Sequence, residues 1–427
     1  MPFLTIVLIF TAALIATSLG TIVYWFVRAD ADKRLQAVKY TVGFFLGVGV
    51  IVGLFLLLIR LVTHPLAILF LTLGIPAAAA IVVVFVRGSS PLRRYIIVRG
   101  ALTLPMVFVL ATMVFVVLRI VPGDPVTSSL GPKGSPQLRA TLIEEFGLNR
   151  PLIVQYGEFM LDVVTLDLGN ALTSGKRPIA DELGERLPAT IELVIPATVL
   201  ALLIGILPGT FAAARRRKVS DYSLRMYSVV VYSMPIFWLG LLLQLFLGVR
   251  LGLAPIAGRI DPVVGTTLER TTNILTLDSV ISGNWDALWS SLHHLILPTL
   301  TLALILSAVF LRLTRVNVIE TLQQDYITAS RSRGIRERVV LYRHALKNAM
   351  IPVITLIGLQ VAILLGGAVL TESVFSWPGM GRYLVDRIAL RDYTSVQSVI
   401  VVFALMVAFI SLAVDVVYSL LDPRVRY

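Results

Sequence analysis

Cysteine is absent from the 427 residues, and with it go disulfides, thiolate metal sites and a cysteine nucleophile. Charge is almost as scarce. Only 15% of residues are charged against 57% hydrophobic, and the mean hydropathy is +0.88. A water-soluble domain of this length would have too little polar surface to cover itself, so the composition calls for a membrane. The four histidines are His64, His293, His294 and His344. Neighbours on a helix point about 100° apart, which places His293 and His294 badly for gripping one metal ion. A phosphate-cradling loop is missing too: it needs Gly, four residues, Gly-Lys and then Ser or Thr. The nearest approach, Ser174-Gly175-Lys176-Arg177, lacks the first glycine and the hydroxyl residue. No segment gathers a serine, a histidine and a carboxylate. No catalytic residue, metal site or cofactor is therefore assigned to this chain.

What the chain has in quantity is long apolar runs. Stretches of about 20 residues suit helices crossing a roughly 30 Å hydrocarbon core. They fall near 4–27, 40–62, 65–86, 97–120, 188–213, 226–249, 293–313, 349–371 and 395–421. The fold class expected is thus an all-α integral membrane protein with nine transmembrane helices, whose ends lie on opposite sides. Charge orients it. The loops at 28–39, 87–99, 214–225, 312–348 and 422–427 sum to +2, +4, +4, +5 and +1, while 121–187, 250–292 and 372–394 sum to −3, −1 and 0. Short loops rich in Lys and Arg stay in the cytoplasm. The amino terminus is expected outside and the carboxyl terminus inside a plasma (inner) membrane. The net charge of +12 is spent on topology, and no nucleic-acid partner is implied.

The first span is too long in its apolar stretch, and lacks the positive flank, for a signal peptide. In the second span Gly43 and Gly47, then Gly49 and Gly53, form Gly-x-x-x-Gly pairs of the kind that let helix backbones approach. The segment 121–187 contains amphipathic stretches near 137–146 and 152–164, and is expected to fold as a small cap. Arg119, Glu192 and Asp415 are ionisable residues near span ends. Charge inside a span is costly and by default functional, but end positions allow long side chains to reach the interface, and Asp415 has arginines near enough to pair with. Glycine, proline and polar residues interrupt spans five, six and eight: Gly205, Pro208 and Gly209, then Ser233 with Pro235, then Gly358, Gln360, Gly366 and Gly367. Such residues either line a cavity or allow tight packing. Ser233, Gln360, Gly366 and Gly367 are the candidates for a translocation path.

Residues 325–348 form a basic, mostly polar island between two apolar runs and cannot sit in lipid. They read as two short helices hinged at Gly334, a residue suited to the left-handed conformation that closes a helix. In the second, Ile335, Val339, Tyr342 and Leu346 fall on one face, with Arg336, Arg338, Arg343 and Lys347 around them. This is the surface expected to meet a soluble partner.

The island resembles the cytoplasmic coupling loop of ABC importer permeases, in which Glu-Ala-Ala, three residues and Gly recur. Thr328, Ala329 and Ser330 stand where Glu-Ala-Ala would, and Gly334 holds the glycine. With Asp325, Tyr326, His344 and Asn348, the version is similar to that of the peptide and nickel importer branch. The runs 375–381 (Phe-Ser-Trp-Pro-Gly-Met-Gly), 391–393 (Arg-Asp-Tyr) and 421–424 (Leu-Asp-Pro-Arg) look like the first permease subunit of that branch, the dipeptide permease B type. The runs 119–125 (Arg-Ile-Val-Pro-Gly-Asp-Pro) and 146–151 resemble the family's entry segment. The resemblance covers residues 94–427 and implies a six-helix permease domain there, leaving 1–93 as a three-helix membrane extension. It further implies a second homologous permease subunit, an extracytoplasmic solute-binding protein and two cytoplasmic ATPase subunits that bind the ATP and magnesium. Di- and oligopeptides are the implied solutes, with nickel chelates or other small solutes as the alternative. An ion-coupled secondary transporter would need carboxylates near the bilayer centre, and a membrane scaffold would not need the coupling loop.

Overall fold

The longest described helices carry proline inside them as well as at their ends. In a computed structural model, residues 90–120, 126, 135–145, 147–173, 177–365 and 368–421 are described. They fall within one compact unit, His64–Tyr427. The first three expected spans with their glycine pairs, His64, residues 174–176, Gly366, Gly367, the side chain of Asp415 and residues 422–427 lie outside the described residues. Helices account for the regular structure among those described. They are α1 (Ser90–Ile120), α2 (Pro136–Glu145), α3 (Leu152–Thr165), α4 (Ile179–Ala214), α5 (Val219–Ser233), α6 (Ile236–Arg250), α7 (Pro262–Thr266), α8 (Leu275–Ile281), α9 (Trp285–Leu322), α10 (Asp325–Ser332), α11 (Glu337–Leu365), α12 (Val369–Val374), α13 (Met380–Ala389) and α14 (Tyr393–Leu421).

The parallel pair α4 and α9 forms the spine, with Gly205 against Phe310, Gly209 against Thr314 and Ala213 against Val318. At 36 and 38 residues, each is roughly 55 Å long at 1.5 Å per residue, far beyond the hydrocarbon core. Helix α4 carries Pro188, Pro196 and Pro208 without breaking. It presents Ala197, Ala201, Gly205, Gly209 and Ala213, every fourth residue, as a buried stripe. Small residues at this spacing let two backbones approach. A Cβ added at Gly205 would lie 2.6 Å from Cβ of Phe310, and one at Gly209 would lie 2.8 Å from the carbonyl oxygen of Leu311. Tight packing is therefore the use made of Gly205 and Gly209. Leu193, Leu302, Phe310 and Val399 complete the core around the pair.

Two expected spans are reshaped. The run 226–249 is two helices, α5 and α6, bent by 103°. Pro235 has no N–H to donate and holds Met234 in an extended conformation (φ −79°, ψ 131°), so the helix stops and restarts around the corner. The run 349–371 starts earlier, at Glu337, and stops at Leu365, with Val369–Val374 a separate short helix. Four described helices, α4, α9, α11 and α14, are long and apolar enough to cross a membrane, or five if the bent pair is one span, and α1 adds the shorter apolar stretch Pro105–Ile120. Both helices expected in the cap appear as α2 and α3. Helix α3 docks on α1 through Tyr156 and Phe159, whose rings lie 5.3 and 5.8 Å from that of Phe115, and through a 2.8 Å hydrogen bond between Thr112 and Tyr156.

The close approach predicts a contrast between two glycines. Gly209→Ala should cost roughly 1–3 kcal/mol through overpacking and lower the thermal midpoint of the helical circular-dichroism signal in detergent. Gly157→Ala on α3, where an added Cβ meets nothing within 4 Å, should leave the midpoint unchanged or raise it. Equal responses would mean that the α4–α9 approach does not limit stability.

Candidate functional site

The polar island folds as a short helix capping the start of a long one. Helix α10 ends in a full left-handed stop. Gly334 has φ +71°, its N–H donates to the carbonyl of Arg331 at 2.9 Å, and that of Ile335 donates to Ser330 at 3.4 Å. This is the Schellman arrangement, which satisfies carbonyls that a helix end would otherwise leave bare. Nothing lies within 4 Å of a Cβ built at Gly334, so the requirement there is conformational. The expected hinge is present. The second element is not a short helix, however, but the first turns of α11, continuous with a membrane-crossing helix.

Ile327, Val340 and Ala345 are fully buried together beneath α10, with Leu322 and Ile335 against them. Asn348 Nδ2 donates to the hydroxyl of Tyr326 at 2.7 Å, tying α10 to α11, and Ser330 bonds back to the carbonyl of Tyr326 at 2.7 Å. Arg331 grips Glu337 across the turn with two hydrogen bonds of 3.1 and 2.7 Å. That hydrogen bond, more than their charges, raises the pKa of the Arg331 guanidinium from its ordinary value. Of the face expected to meet a partner, Val339 and Tyr342 are exposed and Ile335 and Leu346 are half-buried, while Val340, Leu341, Ala345 and Ala349 are buried. A π turn over Val340–Ala345, whose i→i+5 bonding inserts a residue, shifts the helical phase beyond it. The exposed set is therefore Tyr326, Val339 and Tyr342, with Thr328 and Ala329 beside them and Arg336, Arg338, Arg343 and Lys347 also exposed. Asp325 opens α10 on the surface, and His344 is half-buried in the π turn. An apolar, aromatic centre with a charged rim is the usual anatomy of a protein-binding surface.

The candidates for a path are not gathered in this way. Ser233 is exposed at the α5–α6 corner with its hydroxyl bonded to Val230 of its own helix at 2.8 Å. Gln360 is half-buried on α11, and no hydrogen bond joins the two. Gly366 and Gly367 fall outside the described residues. Gly358 packs against Val414.

Sequence reasoning missed a belt of buried charge at the far end of the bundle from α10. Glu372, fully buried, accepts from the Thr190 hydroxyl and the Arg382 N–H, both at 2.8 Å, and Thr190 in turn accepts from the Met380 N–H at 2.8 Å. Burial pushes its carboxyl above the usual range, against the pull of those hydrogen bonds. A Cβ at Gly379 would sit 2.2 Å from this carboxylate, so the glycine in Trp-Pro-Gly makes its room. Trp377 donates its indole N–H to the carbonyl of Ala189 at 2.8 Å. Glu192 is ion-paired with Arg259 and accepts from both the N–H and hydroxyl of Thr276, at 2.7 and 2.8 Å. Glu192, expected to reach the interface, is instead buried in this pair. Arg387 spans Glu182 at 3.1 Å and Thr173 at 2.6 Å, and Asp392 caps α14 by accepting from the Ser395 N–H. His293 and His294 bond to different carbonyls, those of Leu253 and Ser290.

Two family models match the chain. One, described as the binding-protein-dependent transport system inner membrane component, covers residues 201–427, and its amino-terminal companion covers 92–194. Among curated proteins, the chain is 43% identical over 333 residues to the dipeptide transport system permease protein DppB of Alkalihalophilus pseudofirmus, spanning 78% of this chain and 99% of that one. The same shares hold for the oligopeptide transport system permease protein AppB of Bacillus subtilis, at 36% identity, and the glutathione transport system permease protein GsiC of Escherichia coli, at 35%.

Proline cannot adopt the positive φ of position 334 and has no N–H for Arg331, a loss of roughly 3 kcal/mol or more. In Gly334→Pro, backbone amides of Asp325–Ser332 should exchange with deuterium much faster than in the parent, while those of α9 stay protected. Unaltered exchange in α10 would remove Gly334 as the stop that holds it.

Proposed function

The chain belongs to the inner membrane component family of binding-protein-dependent transport systems, and we propose that it carries di- and oligopeptides across the membrane by alternating access driven from residues 325–348. It is a multi-pass permease subunit of an ABC importer. The observation that carries the mechanism is the fold of the island itself. Helix α10 is held by a Schellman stop, the Tyr326–Asn348 bond and a buried apolar patch, and it offers Tyr326, Val339 and Tyr342 outward at the end of a 29-residue helix. A partner gripping that face pushes on α11 as a whole.

The partners in this reading are two cytoplasmic ATPase subunits holding ATP and magnesium, a second homologous permease and an outer solute-binding protein. Moving a two-state pathway from 1:99 to 99:1 takes about 5.5 kcal/mol of differential binding, and closure of the ATPases supplies it. Peptides are favoured over nickel chelates because the relatives named above carry dipeptides, oligopeptides and glutathione by their descriptions. Residues 1–93 form an accessory membrane extension. Support comes from relatives whose almost whole length is matched by 78% of this chain. The amino terminus lies outside and the carboxyl terminus in the cytoplasm, as the loop charges require.

Copurification tests the coupling surface. A tagged chain should bring down an ATPase subunit whose hydrolysis is stimulated by loaded binding protein. Tyr342→Asp should cut the recovered ATPase by roughly tenfold or more, about 1.4 kcal/mol, with membrane insertion unchanged. Full recovery with Tyr342→Asp would place the contact elsewhere, and no ATPase with the parent chain would refute the reading.

Orientation is open to single introduced cysteines, since the chain has none of its own. An impermeant thiol reagent on intact cells should label Thr266→Cys and leave Ser332→Cys unlabelled until the membrane is opened; both positions are exposed. The reverse pattern would invert the topology.

A further inference from the structure

At the end of the bundle away from α10 lies a cavity of about 140 Å³, enclosed by the last turn of α1, helix α3 and the first turns of α14. Two of the residues that line it, Arg119 and Gln397, carry buried donors without acceptors. Arg119 spends Nε and Nη2 on Gln155 Oε1, at 3.2 and 2.9 Å, and lies over the rings of Phe115 and Tyr393, but its Nη1 is buried and unpartnered. No carboxylate among the described residues pairs with it. Gln397 is only 7% exposed, and its Nε2 is likewise unpartnered. Native structures seldom leave such donors bare, and an oxyanion placed between a guanidinium and an amide would satisfy both.

Helix α3 brings the opposite charge to the same cavity, as Glu158 and Asp162. Glu158 has Arg150 as a partner, while Asp162 has no cation. Burial, with Asp167 and Glu158 nearby, pushes the Asp162 carboxyl above the usual range, a condition that a bound cation would relieve. The lining thus asks for one ligand with an oxyanion and an ammonium a short chain apart. A phospholipid headgroup and the two ends of a free peptide both have that chemistry. The surroundings distinguish them. Ile153, Leu161 and Val164 of α3 and Val116, Val117 and Ile120 of α1 are exposed apolar side chains on helices that enclose the cavity, and they offer acyl chains a surface that a peptide would not use.

We propose that this cavity holds the headgroup of an aminophospholipid, with its phosphate on Arg119 and Gln397 and its ammonium on Asp162 and Glu158. The site seats α3 against the membrane. It requires that the protein be in lipid, but not any particular transported solute.

The test is native mass spectrometry of the full-length protein released from nanodiscs containing equal phosphatidylethanolamine, phosphatidylcholine and phosphatidylglycerol. The choline lipid has no N–H, and the glycerol lipid has no cation. Phosphatidylethanolamine should be retained over both. Arg119→Ala should lower its retention roughly tenfold, as loss of a charge-assisted bond implies, and Arg119→Lys should restore part of it. Asp162→Asn should abolish the preference over phosphatidylglycerol. Should Arg119→Ala not elute as a folded protein, Gln397→Leu and Asp162→Asn decide. Equal retention of the three lipids, or retention indifferent to these variants, overturns the proposal. So does displacement of the lipid by alanyl-alanine, which would make the cavity a peptide site.

Discussion

Everything else in this molecule hangs from the distance between α4 and α9. Their backbones come close because α4 shows a stripe of alanine and glycine where they cross, and in a bilayer, where lipid tails are as apolar as leucine, close van der Waals contact is the main force holding helices together. Three prolines in α4 do not disturb this, since neighbouring groups in a packed bundle can satisfy what proline leaves free. With the spine fixed, α5 is bound to it through Asp221, which accepts two hydrogen bonds from Arg315 of α9, at 2.5 and 2.8 Å. Helices α11 and α14 complete the core on the other side.

The two ends of that spine are built with different chemistry. At one end the contacts are a belt of buried charge in which carboxylates are matched by arginines, hydroxyls and backbone N–H groups. Such pairs contribute little net stability, but breaking one leaves a charge uncompensated, so the belt fixes geometry more than it adds energy. At the other end the segment 325–348 keeps its basic residues exposed and buries a small apolar patch instead. One end satisfies its charges internally, and the other leaves them at the surface.

Much of this was legible in the sequence, and the reasons are local. Apolar runs report burial in lipid directly, so the long helices of residues 94–427 were found, but not their ends: α4 begins nine residues before the expected span, α9 eight before, and α11 twelve before. Gly334 was legible because a left-handed stop is a property of one residue and its neighbours. What escaped depended on distance or on phase. Glu192 and Arg259 are 67 residues apart in the chain, and Glu372 and Thr190 are 182 apart; no period or spacing announces such pairs. The corner at Met234 was within reach, since Pro235 stood in view, but the run looked long enough to be one span. The exposed face of α11 was read in part, with Val339 and Tyr342 on it, while the inward turn of Leu346 follows a π turn, which has no known signature in a single sequence. Ser233 and Gln360 were chosen as polar residues in apolar helices, a signal that does not separate a lined path from a self-satisfied hydroxyl.

Two glycines in this chain resist a side chain for unlike reasons. At Gly379 the backbone is in an ordinary extended conformation (φ −91°), and what forbids a side chain is the carboxylate already in its place. At Gly334 there is open space on every side, and the demand is for handedness alone. A residue of mirror-image chirality would sit at 334 without strain. The turn at 334 therefore has room for bulk and penalises only handedness, a strain that Leu166, Arg217 and Asn273 bear elsewhere in the chain at φ of 56°, 66° and 60°.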